Sequence, residues 1–211
     1  MRADSDPTAP LFFLSYAHSS ASSSQANSFV LKFFKHLSED VAELAGRTAS
    51  ADPGFMDLSS MPGGTRWTPE LLHAVGTCQV FVTLLSPWYL SSKWCGMEWD
   101  AFSRRQVRSR EGTPSNETCI VPVVWAPYRE ELASPQILAI QRFSLGDPQD
   151  ADVRQRYEHE GVLGLMKMGR WGSYQTVVWR LAYRIAGIAY NHRVEANVFT
   201  QPEELNNLFE G

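Results

Sequence analysis

Residues 79–102, QVFVTLLSPWYLSSKWCGMEWDAF, constrain what this chain can fold into more than any other stretch. They open on a nearly unbroken apolar run, 80–85, in which Thr83 is the one polar residue. The run is too short to span a membrane. Because it is continuous rather than alternating, it predicts a strand buried on both faces, as in a parallel sheet. Ser86-Pro87 ends the strand, since proline cannot extend a ladder and biases its predecessor away from helix. Ser91-Ser92 offers an N-cap, and residues 93–105 follow as a helix. Trp94, Glu98 and Phe102 recur every fourth residue on it and so share one face. A carboxylate between two aromatics, early in a helix beside the mouth of a sheet, stands where α/β folds bind ligands.

The rest of the chain alternates in the same way. Residues 11–16 (LFFLSY) read as a first buried strand. Phe29, Phe33, Leu37, Val41 and Leu44 then recur at helical spacing, with Gly46 placed as a C′ residue. A second strand falls within 48–57, interrupted by Asp52-Pro53-Gly54, and the loop 58–67 follows with Pro62-Gly63-Gly64 as its turn. Thr68 and Pro69 supply the N-cap and first residue of a short helix whose apolar side is Leu71, Leu72 and Val75. Residues 119–125 (CIVPVVW) form a fourth strand, in which Pro122 marks a bulge or a place near an edge. A short helix at 135–140 and a fifth strand at 142–145 follow. Val177, Val178, Leu181, Ile185 and Ile188 give a closing helix over 173–190. This order predicts an α/β fold: a single domain built on a flavodoxin-like, doubly wound parallel five-stranded sheet, order 2-1-3-4-5. The domain occupies 11–190, after a disordered tail at 1–10 and before a C-terminal tail or linker at 191–211.

With a net charge of −4 and a pI near 5.7, non-specific nucleic-acid binding is disfavoured. The basic cluster Arg104, Arg105, Arg108 and Arg110 reads as cations complementing a helix C-terminus. Cys78, Cys95 and Cys119 are odd in number and lack a disulfide-framework spacing, which points to reduced thiols of a cytoplasmic protein. The five histidines are scattered and no metal-ligand spacing occurs, so neither a metal nor a bound cofactor is expected. No leader-like apolar segment opens the chain, and no run reaches membrane-spanning length. A GxSxG elbow, a Walker A loop and a GxGxxG after the first strand are all missing, which disfavours those enzyme classes.

The segment LLSPWYLSSKWCGMEW resembles the stretch of TIR (Toll/interleukin-1 receptor) domains that reads roughly S-P-x-Y-x-x-S-x-W-C-x-x-E. Ser86, Pro87, Tyr89, Ser92, Trp94, Cys95 and Glu98 each match. FLSYAH resembles the TIR opening F-x-S-Y, and Phe55-Met56-Asp57 resembles the F-x-D that ends the second strand. A fainter likeness, through CGMEW and the length of 145–172, is to the TIR-like proteins of actinobacterial peptide-modification clusters. In the NAD-cleaving bacterial members the Glu of this segment is catalytic, which here implies Glu98. The resemblance further implies that 58–67 is the loop that borders the NAD pocket through Pro62 and Gly63 and meets partners, whether second copies of the chain or other TIR or sensor proteins, in signalling or defence.

Topology converges on the same place. Ser15, Asp57, Pro62, Ser86 and Glu98 all follow strands, and in a parallel sheet those carboxyl ends share one edge. A lone carboxylate suits cleavage of a nicotinamide–ribose bond, because it can stabilise an oxocarbenium-like state while nicotinamide departs as a neutral molecule. Glu98 is thereby expected in a crevice rather than in the core. Trp94 either stacks on the substrate or packs in the core. Tyr16 and Asp57 either border the nucleotide or stabilise their loops. Where several NAD-cleaving relatives carry Arg after F-x-S-Y, this chain has Ala17 then His18, leaving phosphate contacts to His18, Arg66 or a neighbouring subunit. Two functions follow from the resemblance: an NAD glycohydrolase or cyclase switched on by self-association, or a catalytically silent TIR adaptor.

Overall fold

The computed structural model describes residues 9–17, 24–46, 52–57, 68–111, 113 and 115–210. The expected disordered tail lies outside these residues except for Ala9 and Pro10, the latter buried. Loop 58–67, with Pro62 and Gly63, lies outside them entirely, as do His18 and Arg66.

Strands β1 (Phe12–Ser15), β2 (Gly54–Met56), β3 (Val80–Leu85) and β5 (Ile120–Val124) form one parallel sheet in the order β2-β1-β3-β5. Between them run α1 (Ser24–Ala45), α2 (Pro69–Thr77), α3 (Pro87–Leu90) and α4 (Lys93–Ser103), with the short strand β4 (Val107–Ser109) before β5. Helices α5 (Pro135–Leu138), α6 (Ala151–Lys167) and α7 (Trp171–Asn191) and strand β6 (His192–Val194) complete the chain. Gly46 ends α1 at φ +61° and Thr68 caps α2 through Leu71 N–H at 3.2 Å, both where the sequence placed them.

Strand alternation sorts the layers. Phe12 and Phe13 point to opposite faces because successive side chains in a strand must. Phe12 meets Phe34 of α1. Phe13 lies between its ladder partners Phe55 and Phe81, at 5.6 and 5.7 Å, and Phe81 continues the stack onto Phe102 of α4 at 5.2 Å. Helices therefore cover both faces, which is why every residue of β1, β3 and β5 is buried. The three cysteines are buried free thiols.

The expected fifth strand does not form. β5 is one edge of the sheet, a place that Pro122 suits. Residues 120, 122 and 124 turn their polar backbone groups away from β3, and proline has no N–H to offer a further strand. Only its carbonyl is used on that side, accepting from Phe143 N–H at 2.8 Å. Next to it Val124 N–H donates to the buried Tyr157 hydroxyl of α6 at 2.9 Å. A side chain and a single loop contact thus cover an edge that a ladder cannot. α6 bends at Gly161, whose φ of +66° lets Leu163 N–H reach Trp125 O at 2.9 Å. A Cβ there would sit 2.6 Å from that carbonyl oxygen.

The last segment is no free tail. β6 pairs antiparallel with β4, and Phe199 and Leu205 are buried beyond it. The arginine cluster serves this packing more than a helix terminus. Buried Arg105 donates to Val75 O and Glu195 O at 2.9 and 3.0 Å, Arg108 pairs with Glu195, and Arg110 donates to Ala189 O.

Tyr157→Phe should leave the Val124 amide buried without a partner, at a cost of about 1–3 kcal/mol. Chemical denaturation checks this, and a loss below about 0.5 kcal/mol would remove the edge-covering role of the hydroxyl.

Candidate functional site

The site is assembled at the carboxyl edge of the two central strands. Ser15 closes β1 in register with Thr83 of β3. One residue past β3, Ser86 accepts from Tyr89 N–H at 3.2 Å and starts α3. Ser92 does the same for Cys95 N–H at 3.3 Å and starts α4. Two helix starts in seven residues bring both Tyr89 and Glu98 back over the end of β1.

Their side chains meet at Ser15. The Ser15 hydroxyl donates to Glu98 Oε2, and the Tyr89 hydroxyl lies 3.1 Å from Ser15 Oγ. With the serine proton committed to the carboxyl group, Tyr89 is the donor to serine, giving a relay Tyr89 to Ser15 to Glu98. Tyr89 is fully buried and Glu98 is only 8% exposed. Here the structure departs from the sequence reading, which placed Glu98 in an open crevice. The face it shares with Trp94 and Phe102 descends from solvent to core: Trp94 is 42% exposed and Phe102 1%.

Burial sets the electrostatics. It pushes the Glu98 carboxyl up to about 8; the Ser15 hydrogen bond pulls against it and the charge of Asp57 adds to the rise. The Cys95 thiol and the Tyr89 hydroxyl are raised for the same first cause, with Glu98 itself contributing to both. At neutral pH Glu98 therefore holds its proton in the free protein. A cation arriving beside it would favour the carboxylate.

Of the residues singled out from sequence, Ser15 and Glu98 are in direct contact. Tyr16 and Asp57 form a second pair, the Tyr16 hydroxyl donating to Asp57 O at 3.3 Å. Ser86 spends its hydroxyl on the α3 cap, and Trp94 stands at the exposed start of α4. Sequence reasoning missed the part played by Tyr89. Its signal was present: it lies three residues after Ser86, which with Pro87 suits a helix start, so it occupies the first turn of a helix rooted at the sheet edge. Among the described residues no group of His, Cys, Asp and Glu could hold a metal ion. An open cavity of about 730 Å³ between Leu11, Leu44 and Tyr190 lies at the amino end of β1, opposite this site.

Against known protein families, residues 12–162 match the TIR domain, more than half of the chain. No curated protein matches it.

The raised carboxyl makes stability depend on pH with a definite sign. From the ordinary 4.5 to about 8, the folded state keeps a proton that the unfolded chain has lost. Stability is thus fully present below that window and falls across it, by about 1.4 kcal/mol per pH unit for one group. Glu98→Gln removes this dependence. The variant should gain on wild type steadily between pH ~5 and ~8 in denaturation experiments; parallel curves would mean that Glu98 is ionised throughout.

Proposed function

The chain belongs to the TIR domain family, and we propose that it cleaves NAD+ at the nicotinamide–ribose bond with Glu98 as the catalytic carboxylate. The observation that carries this reading is the placement of Glu98: a buried carboxyl at the carboxyl edge of a parallel sheet, held by a serine hydroxyl donated from the end of the neighbouring strand.

The chemistry follows from charge. The nicotinamide ring of NAD+ is a cation, and docking it beside Glu98 offsets the desolvation that keeps the carboxyl protonated. The carboxylate then faces the ribose. As the glycosidic bond breaks, its electron pair passes to the ring, nicotinamide leaves neutral, and positive charge moves to the ribosyl carbon. Glu98 stabilises that charge where little water competes. Capture by water gives ADP-ribose and a proton; capture by a nitrogen of the same molecule gives a cyclic product. Ser15 holds the carboxylate in one orientation, and Tyr89 holds Ser15. Trp94, exposed one turn before Glu98, offers a ring to the nicotinamide or ribose. Tyr16 and Asp57 border the nucleotide, with Pro62 and Gly63 in the adjoining loop. NAD+ is substrate here, with no bound cofactor.

Activity depends on self-association through loop 58–67 and a second TIR domain, in a cytoplasmic signalling or defence setting, with other TIR or sensor proteins as further partners. No helix among the described residues is long and apolar enough to cross a membrane. Ala17, half-buried directly after Ser15-Tyr16, favours a second reading, in which the chain is a silent TIR adaptor: it provides no cation for the substrate phosphates.

Nicotinamide release from NAD+ by concentrated protein separates the two. Wild type should release it, with specific activity rising as concentration rises. Glu98→Gln should lose about 10²–10³ in rate, the effect of removing one strong electrostatic contact to the transition state. Equal rates in the two proteins would end the catalytic reading. Silence of both, when assembled, would leave the adaptor.

A further inference from the structure

The chain beyond residue 162 lies outside the TIR match, yet its last ordered segment runs back across the helix that carries Glu98. Glu195 N–H donates to Gln106 O at 2.9 Å, and Asn197 N–H to Gly76 O at 2.9 Å. Phe199 is then buried beneath Arg104, whose guanidinium donates to Glu204 O at 2.9 Å. Asn206 N–H donates to Asp100 Oδ2 on α4 at 2.8 Å. Asn207 lies over Gly96, so close that a Cβ there would meet its Oδ1 at 2.0 Å. That same oxygen accepts from Phe209 N–H at 3.1 Å, a turn that swings the Phe209 ring onto Tyr89 at 5.6 Å and Trp99 at 5.9 Å.

We propose that residues 195–209 are a positioning strap for the carboxylate site, with Phe209 holding Tyr89, and through it Ser15, against Glu98. This rests on the reading of Glu98 as the working carboxylate. Tyr89 is fully buried, and Phe209 is one of the groups that bury it. Removing the ring opens one side of the tyrosine, whose hydroxyl is the far end of the relay that reaches Glu98. Gly96 is the matching feature on the helix: only a residue without a side chain lets Asn207 come down and aim Phe209. The titratable groups facing Glu98 are Tyr89 from α3, Cys95 from its own helix and Asp57 beyond β2. The strap touches the first of these, so it acts on the site by water exclusion and orientation rather than by charge.

The test uses the full chain and two separate readouts. The first is the titration of the Glu98 carboxyl carbon by NMR, assigned with Glu98→Gln; the second is nicotinamide release. Phe209→Ala removes the ring. Gly96→Ala instead displaces Asn207 while leaving every strap residue intact, and alanine is the better helix former. Both should lower the Glu98 midpoint by about one pH unit or more as water reaches the relay, while Phe209→Tyr stays at the wild-type value. Folded Ala variants that titrate with wild type would overturn the proposal. If Phe209→Ala fails to fold, Gly96→Ala decides; if neither folds, the segment is ordinary core and the positioning role is refuted. Shifted midpoints without nicotinamide release from any of the proteins, wild type included, would uphold the strap's hold on the carboxyl group while refuting NAD cleavage.

Discussion

Phe12–Ser15 and Val80–Leu85 lie side by side and run the same way, and every later feature of this molecule inherits that pairing. Strands that are apolar along their whole length have no face to give to water, so both must be covered by helices, and helices on both faces require crossover connections. Parallel direction then brings both strands to their ends at one edge. Ser15 arrives there from the first strand, and α3 and α4 depart from the second. The contact between Ser15, Tyr89 and Glu98 is a consequence of topology, made by residues 74 and 83 positions apart in the chain.

A carboxyl group in such a place is a compromise. Burial favours the neutral acid, and a single serine hydroxyl does not offset the loss of water. The fold tolerates this because a protonated carboxyl carries no charge to desolvate. In return, the group can change state when a cation is brought to it, which an already ionised surface carboxylate cannot do. Its own neighbours are themselves withdrawn from water: Ser15, Tyr89 and Cys95 are all buried.

Much of this was legible in the sequence. The continuous apolar runs, the strand-ending Ser-Pro, the Ser-Ser helix start and the 94/98/102 periodicity specify strand, turn and helix by local rules, and local rules were obeyed there; the short helix that Ser86 also caps was not read from the sequence. The fifth strand expected at 142–145 does not form: Pro122, already read as marking a bulge or a place near an edge, has no amide to offer a further ladder, and how the next segment meets that edge is a non-local fact. The burial of Glu98 escaped for a similar reason. Its own helix shows only that it shares a face with one exposed and one buried aromatic. How deep the helix sits depends on what packs against it, and one part of that packing is residues 195–209, whose polar composition resembles a linker. Their hold on the domain is made largely by backbone groups meeting Gly76, Asp100 and Arg104, and backbone contacts leave no trace in composition.

Proton release on binding tests the central claim most directly. If Glu98 is protonated in the free protein and ionises beside the nicotinamide cation, a non-cleavable NAD+ analogue should release about one proton per site near neutral pH. Calorimetry in buffers of different ionisation enthalpy reads that number. The reduced, uncharged nicotinamide form should release essentially none, and Glu98→Gln should abolish the release with the cationic analogue. Binding of the cationic analogue with no proton released from the wild-type protein would contradict the account.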